Sequence, residues 1–403
     1  MQLIEQQGKL NFDALKNMAE SVQGSFCFTV LDENNTLYIV KGMCLLHFVR
    51  LGLYVYASTE SILTKALWKV GLLKLKYEQI LFKEGDMICI NKNGELSESS
   101  FAMQNDFSNV VWETFLELIQ LSYYKGELGN RPYPLELMLR IFILQNVYNL
   151  SDMAVMNEVI DSRAFSNFCG INAPSEVPNG DTIGRFRNIL TRNGLQEKIF
   201  AAVVKILMER KLILKKGTIV NSTFIESPSS TKNREKKRDS EAHSAKKGNT
   251  WHFGYKAHIG VDEESGLVHT VKGTPANEHD VTVMSELLHG EEERAYGDSG
   301  YIGADKRPEA IRKNKNGKKI RYIINRRPSS IKKLSKSGQY AAKKKEHQKS
   351  SVRCKAEHVF AVIKNIFRYR KTRYRGLRKQ TAKLNMMFAL ANLYLAARKS
   401  LAV

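Results

Sequence analysis

At 403 residues the chain exceeds what one ordinary hydrophobic core organises, and two or three domains are expected. Its formal net charge of +22 predicts a polyanionic partner, either nucleic acid or an anionic membrane surface. The apolar run MMFALANLYLAA at 386–397 is too short to span a bilayer and no signal peptide is visible, so a membrane protein is excluded and a cytoplasmic, nucleic-acid-facing one is expected.

The first segment, 1–105, reads as β-rich. SFCFTVL and LYIVKG flank the turn letters DENNT, and LGLYVYAS is a further strand. STESILTKALWKVG starts a helix behind a hydroxyl cap, and DMICINKNGEL is a hairpin around an Asn-Gly turn. Over 1–100 there are 10 Lys and Arg against 11 Asp and Glu, so this block has no electrostatic affinity for nucleic acid. The five cysteines, Cys27, Cys44, Cys89, Cys169 and Cys354, are scattered and lack CxxC spacing, which indicates reduced thiols and neither a disulfide framework nor a zinc site.

From 106 to 215 the pattern turns helical. PLELMLRIFILQNVY, SDMAVMNEVIDS and LQEKIFAAVVKILMERKL space their apolar residues by three and four, with Pro134, Ser151 and Asp181 as start signals. Short helices with tight links suggest a helix-turn-helix-like, DNA-binding bundle. VPNGDTIGRFRNIL places Arg185 and Arg187 in the first turns of one helix, within reach of phosphate or a base edge, although solvated arginines on an amphipathic helix would look the same.

From 216 to 403 the pattern is mixed. TIVNSTFIE, WHFGYKAHIGVD, LVHTVKGT and RAYGDSG read as successive strands, and strands followed by a carboxylate-bearing helix suggest a ribonuclease-H-like mixed α/β sheet with flanking helices. Residues 312–379 hold 25 Lys and Arg against Glu346 and Glu357 alone, which accounts for the charge surplus of the whole chain. Within them FRYRKTRYRGLRK interleaves aromatics with Arg368, Arg370, Arg373, Tyr374 and Arg375, a composition suited to phosphate contact and to stacking on unpaired bases. His243, His252, His258, His269 and His279 cluster without metal-ligand spacing, and no nucleotide-binding loop is present.

Two resemblances sharpen these readings. GSFCFTVLDENNTLYIV and LYVYASTESILTKAL resemble the later part of class II glutamine amidotransferase domains, which are N-terminal-nucleophile hydrolases. In that family the nucleophile is a cysteine at the mature N-terminus, whose free amine serves as base. The chain opens Met1-Gln2-Leu3, and Cys27 and Cys44 are internal, so no catalytic residue carries over and 1–105 is expected to be a truncated fragment. From about 125 onward, IVNSTFIESPSSTKN, KKGNTWHFGYKAHIGVDEESGLVHTV, ANEHDV, YGDSGYIG and RYRGLRKQTAKLN together resemble the DDE transposases of bacterial insertion sequences, in particular the insertion-sequence-five group.

That second resemblance implies two aspartates and a glutamate holding two divalent ions, Mg²⁺ or Mn²⁺, that activate the attacking oxygen and stabilise the leaving one during phosphodiester cleavage and strand transfer. The middle aspartate falls on Asp298 and the glutamate on Glu357. Arg353 and Lys364 match the family's Arg-x3-Glu-x6-Lys signature, expected on one helix face beside the scissile DNA, while Ser350 replaces the usual upstream Tyr. The first aspartate falls on Asn221, which offers an amide oxygen but no charge, so metal binding and activity are expected to be weakened. Asp280 is a candidate substitute ligand, whereas Glu226 falls on the opposite strand face. The implied partners are double-stranded transposon-end and target DNA, bound by a homodimer or higher oligomer in a bacterial cytoplasm and nucleoid. A second reading keeps the architecture without catalysis, as a DNA-binding relic of a mobile element joined to a host gene fragment. A third, glutamine hydrolysis, lacks its nucleophile.

Overall fold

The computed structural model describes residues 10–21, 27–41, 47–50, 54–57, 60–72, 78–80, 85–101, 107–123, 132–232 and 236–400. The chain forms two compact units, 1–112 and 113–403. Cys44 and the hydroxyls expected to cap the helix after 58 lie outside the described residues.

In the first unit, α1 (Phe12–Ser21) is followed by β1 (Cys27–Leu31), β2 (Leu37–Lys41), β3 (His47–Arg50), β4 (Tyr54–Ala57), α2 (Glu60–Lys69), β5 (Glu78–Ile80), β6 (Asp86–Ile90) and β7 (Leu96–Ser100). The expected hairpins are present. Asp32 Oδ1 accepts from the amides of Asn34 and Thr36 to close the first turn, and Asn91 Oδ1 accepts from those of Asn93 and Glu95 to close the second. An antiparallel sheet of order β1-β2-β6-β7 results, beside a smaller one of order β4-β3-β5. Alternation along β2 and β6 buries both faces of the larger sheet. Tyr38, Val40 and Met87 pack on Leu15 and Met18 of α1, while Ile39, Ile88 and Ile90 pack with Tyr54 and Ile80.

Helix α3 (Phe107–Tyr123) leads into the second unit, where α4 (Leu135–Val147), α5 (Asp152–Asp161), α6 (Arg163–Cys169), α7 (Gly180–Arg192) and α8 (Leu195–Glu209) form the expected helical segment. Ser151 caps α5 by accepting from the Ala154 amide. The cap of α7 is Asn179, whose Oδ1 accepts from the Thr182 amide, and the expected start residue Asp181 sits inside the first turn instead.

The remainder is built on one mixed sheet. β8 (Gly217–Glu226), β9 (His243–Lys247), β10 (Thr250–Asp262), β11 (Val268–Pro275), β12 (Arg294–Gly297) and β13 (Arg321–Ile324) are followed by the short α10 (Pro328–Lys332), the long α11 (Lys336–Ala361), a π-helical turn at Val362–Ile366 and α12 (Leu377–Ser400); the single-turn α9 (Asp280–Val283) precedes β12. The sheet order is β11-β10-β8-β12-β13, with β9 paired to β10. β8 runs antiparallel to β10 and parallel to β12, so one strand joins the two ladder types. Its first residues, through Val220, are buried, as expected of a central strand covered on both faces. Gly254 marks where β10 leaves β8 and continues as the hairpin with β9. Its φ is +152°, and a Cβ there would meet the Ile225 carbonyl oxygen at 2.2 Å, so only glycine fits.

The α12 helix packs on α8 and β11 and carries Lys383 into the interior. Lys383 Nζ donates to Asn146 Oδ1 of α4 at 2.9 Å and lies over the Tyr369 ring at 5.5 Å. Burial, reinforced by Arg373 and Arg187, pulls this ammonium down to about 7. The unfolded chain therefore holds a proton here that the folded chain releases between about pH 7 and the ordinary lysine range. The Lys383 contribution to stability is fully present above that range and lost as pH falls toward 7. We expect Lys383→Met to be more stable than the native chain near pH 6, with the gap narrowing by on the order of 1 kcal/mol per pH unit between pH 7 and 9. Urea unfolding of both chains across that range checks this; a gap independent of pH would contradict it.

Candidate functional site

Of the residues singled out in sequence, Asp298 and Asp280 come together beyond the end of β12. Asp298 follows the last residue of β12, and its carboxylate accepts from the Gly300 amide at 2.8 Å. A Cβ on Gly300 would lie 2.9 Å from Asp298 Oδ1 and 3.5 Å from Asp280 Oδ2, so the two aspartates border the same glycine.

On β8, Val220 belongs to the cluster with Val283, Met284 and Tyr301, and Ser222 shares its face by alternation; Asn221 points the other way. Asn221 Oδ1 accepts from its neighbour's backbone, the Ser222 amide, at 2.9 Å. That oxygen keeps a second lone pair but carries no charge, and the side chain's other polar group is the NH₂, a donor.

Asp280 belongs to the face of Ser222. Lys256 and His258 pair across the ladder with Phe224 and Ser222, and Asp280 Oδ1 lies 3.0 Å from Lys256 Nζ and 3.9 Å from His258 Nδ1. Lys256 also donates to the Glu278 carbonyl at 2.6 Å. Burial is the main reason that the His258 imidazole is pulled down to about 4, with Asp280 opposing, so at neutral pH it is uncharged and Lys256 is the cation that holds Asp280. Tyr301 is fully buried, and burial followed by the charges of Asp280 and Asp298 raises its phenol well above the usual range. His258 Nδ1 and Arg353 Nε are buried polar atoms without a hydrogen-bond partner among the described residues. The Lys256–His258 pair was not foreseen, yet the signal was present: two polar letters at alternate positions of the otherwise apolar run GYKAHIGV mark one face of a central strand.

Helix α11 packs against β8, β10 and β12 and carries Arg353 and Glu357 one turn apart, with Arg353 Nη2 at 4.0 Å from Glu357 Oε1. Arg353 Nη1 donates to Asn325 Oδ1 at 3.2 Å, and Asn325 Nδ2 donates to Glu346 Oε2 at 2.8 Å, a relay that fixes the guanidinium from behind. Glu357 is largely exposed, its side chain 63% accessible. Lys364 falls in the π-helical turn, so the regular α register expected to align it with Glu357 is interrupted. Its ammonium is pulled down by burial, then by Lys247 and Arg370, with Glu226 opposing, which places it in a cationic group beside the β9–β10 hairpin.

The cations assigned to DNA contact divide. Arg185 and Arg370 are exposed; Arg370 Nε donates to the Lys364 carbonyl and Nη2 to Asn365. Arg368 is exposed with φ +56°, and its carbonyl accepts from Asn149. Arg373 donates to the backbone and side chain of Asn149, and Arg375 to the Lys237 carbonyl. Arg187 is turned inward: it pairs with Asp152, donates to Tyr374 Oη at 2.8 Å, and sits 4.0 Å above the Tyr374 ring. Burial raises the Tyr374 phenol, and Arg187 opposes that shift.

Residues 214–393 match the Transposase DDE domain, and residues 102–188 match the Transposase domain (DUF772). The chain is therefore built around transposase domains, the class that moves mobile elements by DNA transposition. Among solved structures, a cryo-EM structure of the piggyBac transposase synaptic complex with hairpin DNA is matched over 73% of this chain and 74% of that one, at 10% identity and a TM-score of 0.36. DDE domains in general cleave and rejoin phosphodiesters with divalent ions held by acidic residues. The residues of this chain do not fit that requirement. No group of three or more His, Cys, Asp or Glu among the described residues is placed to hold a metal ion, and Asn221 offers an uncharged amide that accepts from the backbone. None of the described helices is long and apolar enough to cross a membrane.

Because Arg187 holds α7 to α5 and to the 367–376 loop, its loss should act on the fold. Arg187→Ala leaves Asp152 without its partly buried partner and is expected to cost roughly 1–3 kcal/mol, whereas Arg185→Ala, at an exposed site, should change stability by less than about 0.5 kcal/mol. Thermal unfolding of the two variants separates them; equal melting temperatures would remove the structural role of Arg187.

Proposed function

We propose that this chain is a DNA-binding transposase of the DDE type whose phosphodiester cleavage is disabled, or nearly so, at Asn221. The observation that carries the reading is the combination of transposase domains over 102–188 and 214–393 with an uncharged amide, accepting from the Ser222 backbone, where the first carboxylate is expected. The ribonuclease-H-like reading of the sheet is supported by its order, β11-β10-β8-β12-β13, with Asn221 on the central strand and Asp298 at the end of the adjacent parallel one. DNA binding, in this reading, involves double-stranded transposon ends and target DNA gripped by the basic surface of 312–379, in a homodimer or larger assembly. Residues 1–105 stand outside that work. Their amidotransferase-like reading concerns the fold alone and is supported by the antiparallel order β1-β2-β6-β7.

Asp280 does not stand in for the missing carboxylate in this reading. It lies on the Ser222 face, held by Lys256 at 3.0 Å, so recruiting it to a cation would mean breaking a half-buried ion pair and leaving Lys256 unpaired. The relic reading and the active reading share every feature except the outcome at Asn221, so one substitution separates them.

Asn221→Asp restores a carboxylate with almost no change in volume. We expect the native chain to bind duplex DNA with a steep salt dependence and to leave it uncut with Mg²⁺ or Mn²⁺. Asn221→Asp should nick it and should also show a Mn²⁺-dependent rise in melting temperature that the native chain lacks. A weakened ligand set typically costs about 10- to 100-fold in metal affinity when only supporting groups are lost, and loss of a ligand itself costs more. Efficient cleavage by the native chain would overturn the proposal. Absence of both cleavage and the Mn²⁺ shift in Asn221→Asp would show that the defect lies elsewhere.

A further inference from the structure

The β9–β10 hairpin carries a feature that neither the cleavage chemistry nor the expected DNA contacts use. Its two-residue turn, Gly248 and Asn249, has Gly248 at φ +61°, and the ladder pairs Lys247 with Thr250 and Lys246 with Trp251. Trp251 is 68% exposed, an unusual state for the largest apolar side chain. Alternation puts Trp251 and Phe253 on one face, where Arg238 lies over the Phe253 ring at 5.7 Å and Lys246 stands across from Trp251. On the other face His252 stacks on Phe224, with centroids 4.9 Å apart and planes at 17°, and lies 3.4 Å from Glu226. The second face is thus occupied by the protein itself and anchors the hairpin to β8. The first face is left as a flat aromatic surface flanked by cations.

The surroundings specify what that surface suits. Lys246 and Lys247 are exposed at the tip, and no described carboxylate pairs with either. Lys247 is near enough to the half-buried Lys364 to help depress its ammonium, so the hairpin stands beside the π-helical turn that follows the Arg353–Glu357 helix. Lysines that attract phosphate, together with an uncovered indole, match a nucleotide whose base is free of its partner: the backbone is held by charge and the base lies on the ring. A fully paired duplex offers phosphates to the lysines but no base face to the indole, except at its very end.

We propose that Trp251 is a stacking platform for an unpaired DNA base, presented by the β9–β10 hairpin with Lys246 and Lys247 holding the adjoining phosphates. This rests on the DNA-binding reading above and adds to it a preference for strand ends or openings over intact duplex. Because base–aromatic stacking is sequence-tolerant, the platform reads unpairing and not sequence.

The experiment uses the full chain and three fluorescein-labelled DNAs of equal length: a blunt duplex, a duplex with four unpaired nucleotides at one end, and the latter with 2-aminopurine as its first unpaired base. Anisotropy should show about tenfold tighter binding of the frayed duplex than of the blunt one. Trp251→Ala should abolish that preference, Trp251→Phe should keep part of it, and blunt-duplex affinity should change less than threefold in either. The 2-aminopurine emission should be quenched by the native chain and not by Trp251→Ala. Equal affinity for blunt and frayed DNA, or an unchanged preference in Trp251→Ala, would overturn the platform while leaving the DNA-binding reading intact. Failure of the native chain to bind any of the three DNAs would overturn both. Since Trp251 is exposed, circular dichroism of the variants should match the native chain, and the quenching measurement on the native chain stands independently of any variant.

Discussion

Strand β8 must satisfy two ladders at once, antiparallel to β10 and parallel to β12, and the arrangement of the second unit's sheet follows from that constraint. A strand paired on both edges cannot slide in register without breaking one ladder, so every side chain on it has a fixed face. Val220 and Ser222 are committed to the side of Tyr301 and Asp280, and Asn221 to the opposite side. The parallel pairing with β12 then carries the chain to Asp298 at the sheet's end, and α11 lies against the same strands with Glu357. The site is therefore positioned by backbone pairing, and its failure or success is decided by side-chain chemistry placed on an intact frame.

The positive charge that dominates the composition performs two physically distinct tasks. Lys383 and Arg187 are withdrawn from solvent and tie helices to the sheet region, at the electrostatic penalty visible in the lowered Lys383 ammonium. Lys364, Arg370 and Lys247 instead crowd one another with Glu226 as the opposing charge, an arrangement that is unfavourable for the isolated protein and favourable once an anion sits among them. Three cations grouped with a single carboxylate are a sign of a surface suited to an anion from outside the chain. The inward pairs carry no such sign, because Asp152, Asn146 and the aromatic rings already satisfy them.

Much of this was legible in the letters, and what was not has a physical reason. Strand alternation and turn chemistry announced β1, β2, β6, β7, β8, β10 and β11, because period-two patterns and Asx turns are local properties. Asn221, Asp298 and Glu357 were singled out by the resemblance to DDE transposases and not by pattern. The inward turn of Arg187 was not legible: its partner Tyr374 is 187 residues away, and only tertiary packing distinguishes a sequestered guanidinium from a solvated one. The π-helical turn at 362–366 was equally invisible, since a spacing of seven between Glu357 and Lys364 implies a shared face only while the helix stays regular. The start of α7 shifted from Asp181 to Asn179 because both residues are good caps and the choice depends on which amide lies within reach.

Binding and cleavage differ in how many groups share the work, and this explains why one substitution can separate them. Affinity for a duplex is a sum over many phosphates, so on the proposed reading each cation of the basic stretch 312–379 that meets a phosphate contributes only a small, exchangeable part. Metal-assisted cleavage depends on a handful of carboxylates whose charges must jointly offset two divalent ions at close range, so the loss of one is not diluted by the others. Asparagine matches aspartate in volume and accepts from the Ser222 backbone amide as a carboxylate could, so β8 accommodates it without a change in packing. The frame consequently has no mechanical reason to reject the amide. A strand this well determined keeps its shape with either an amide or a carboxylate at 221, so on the proposed reading cleavage can be lost while the cationic surface stays in place.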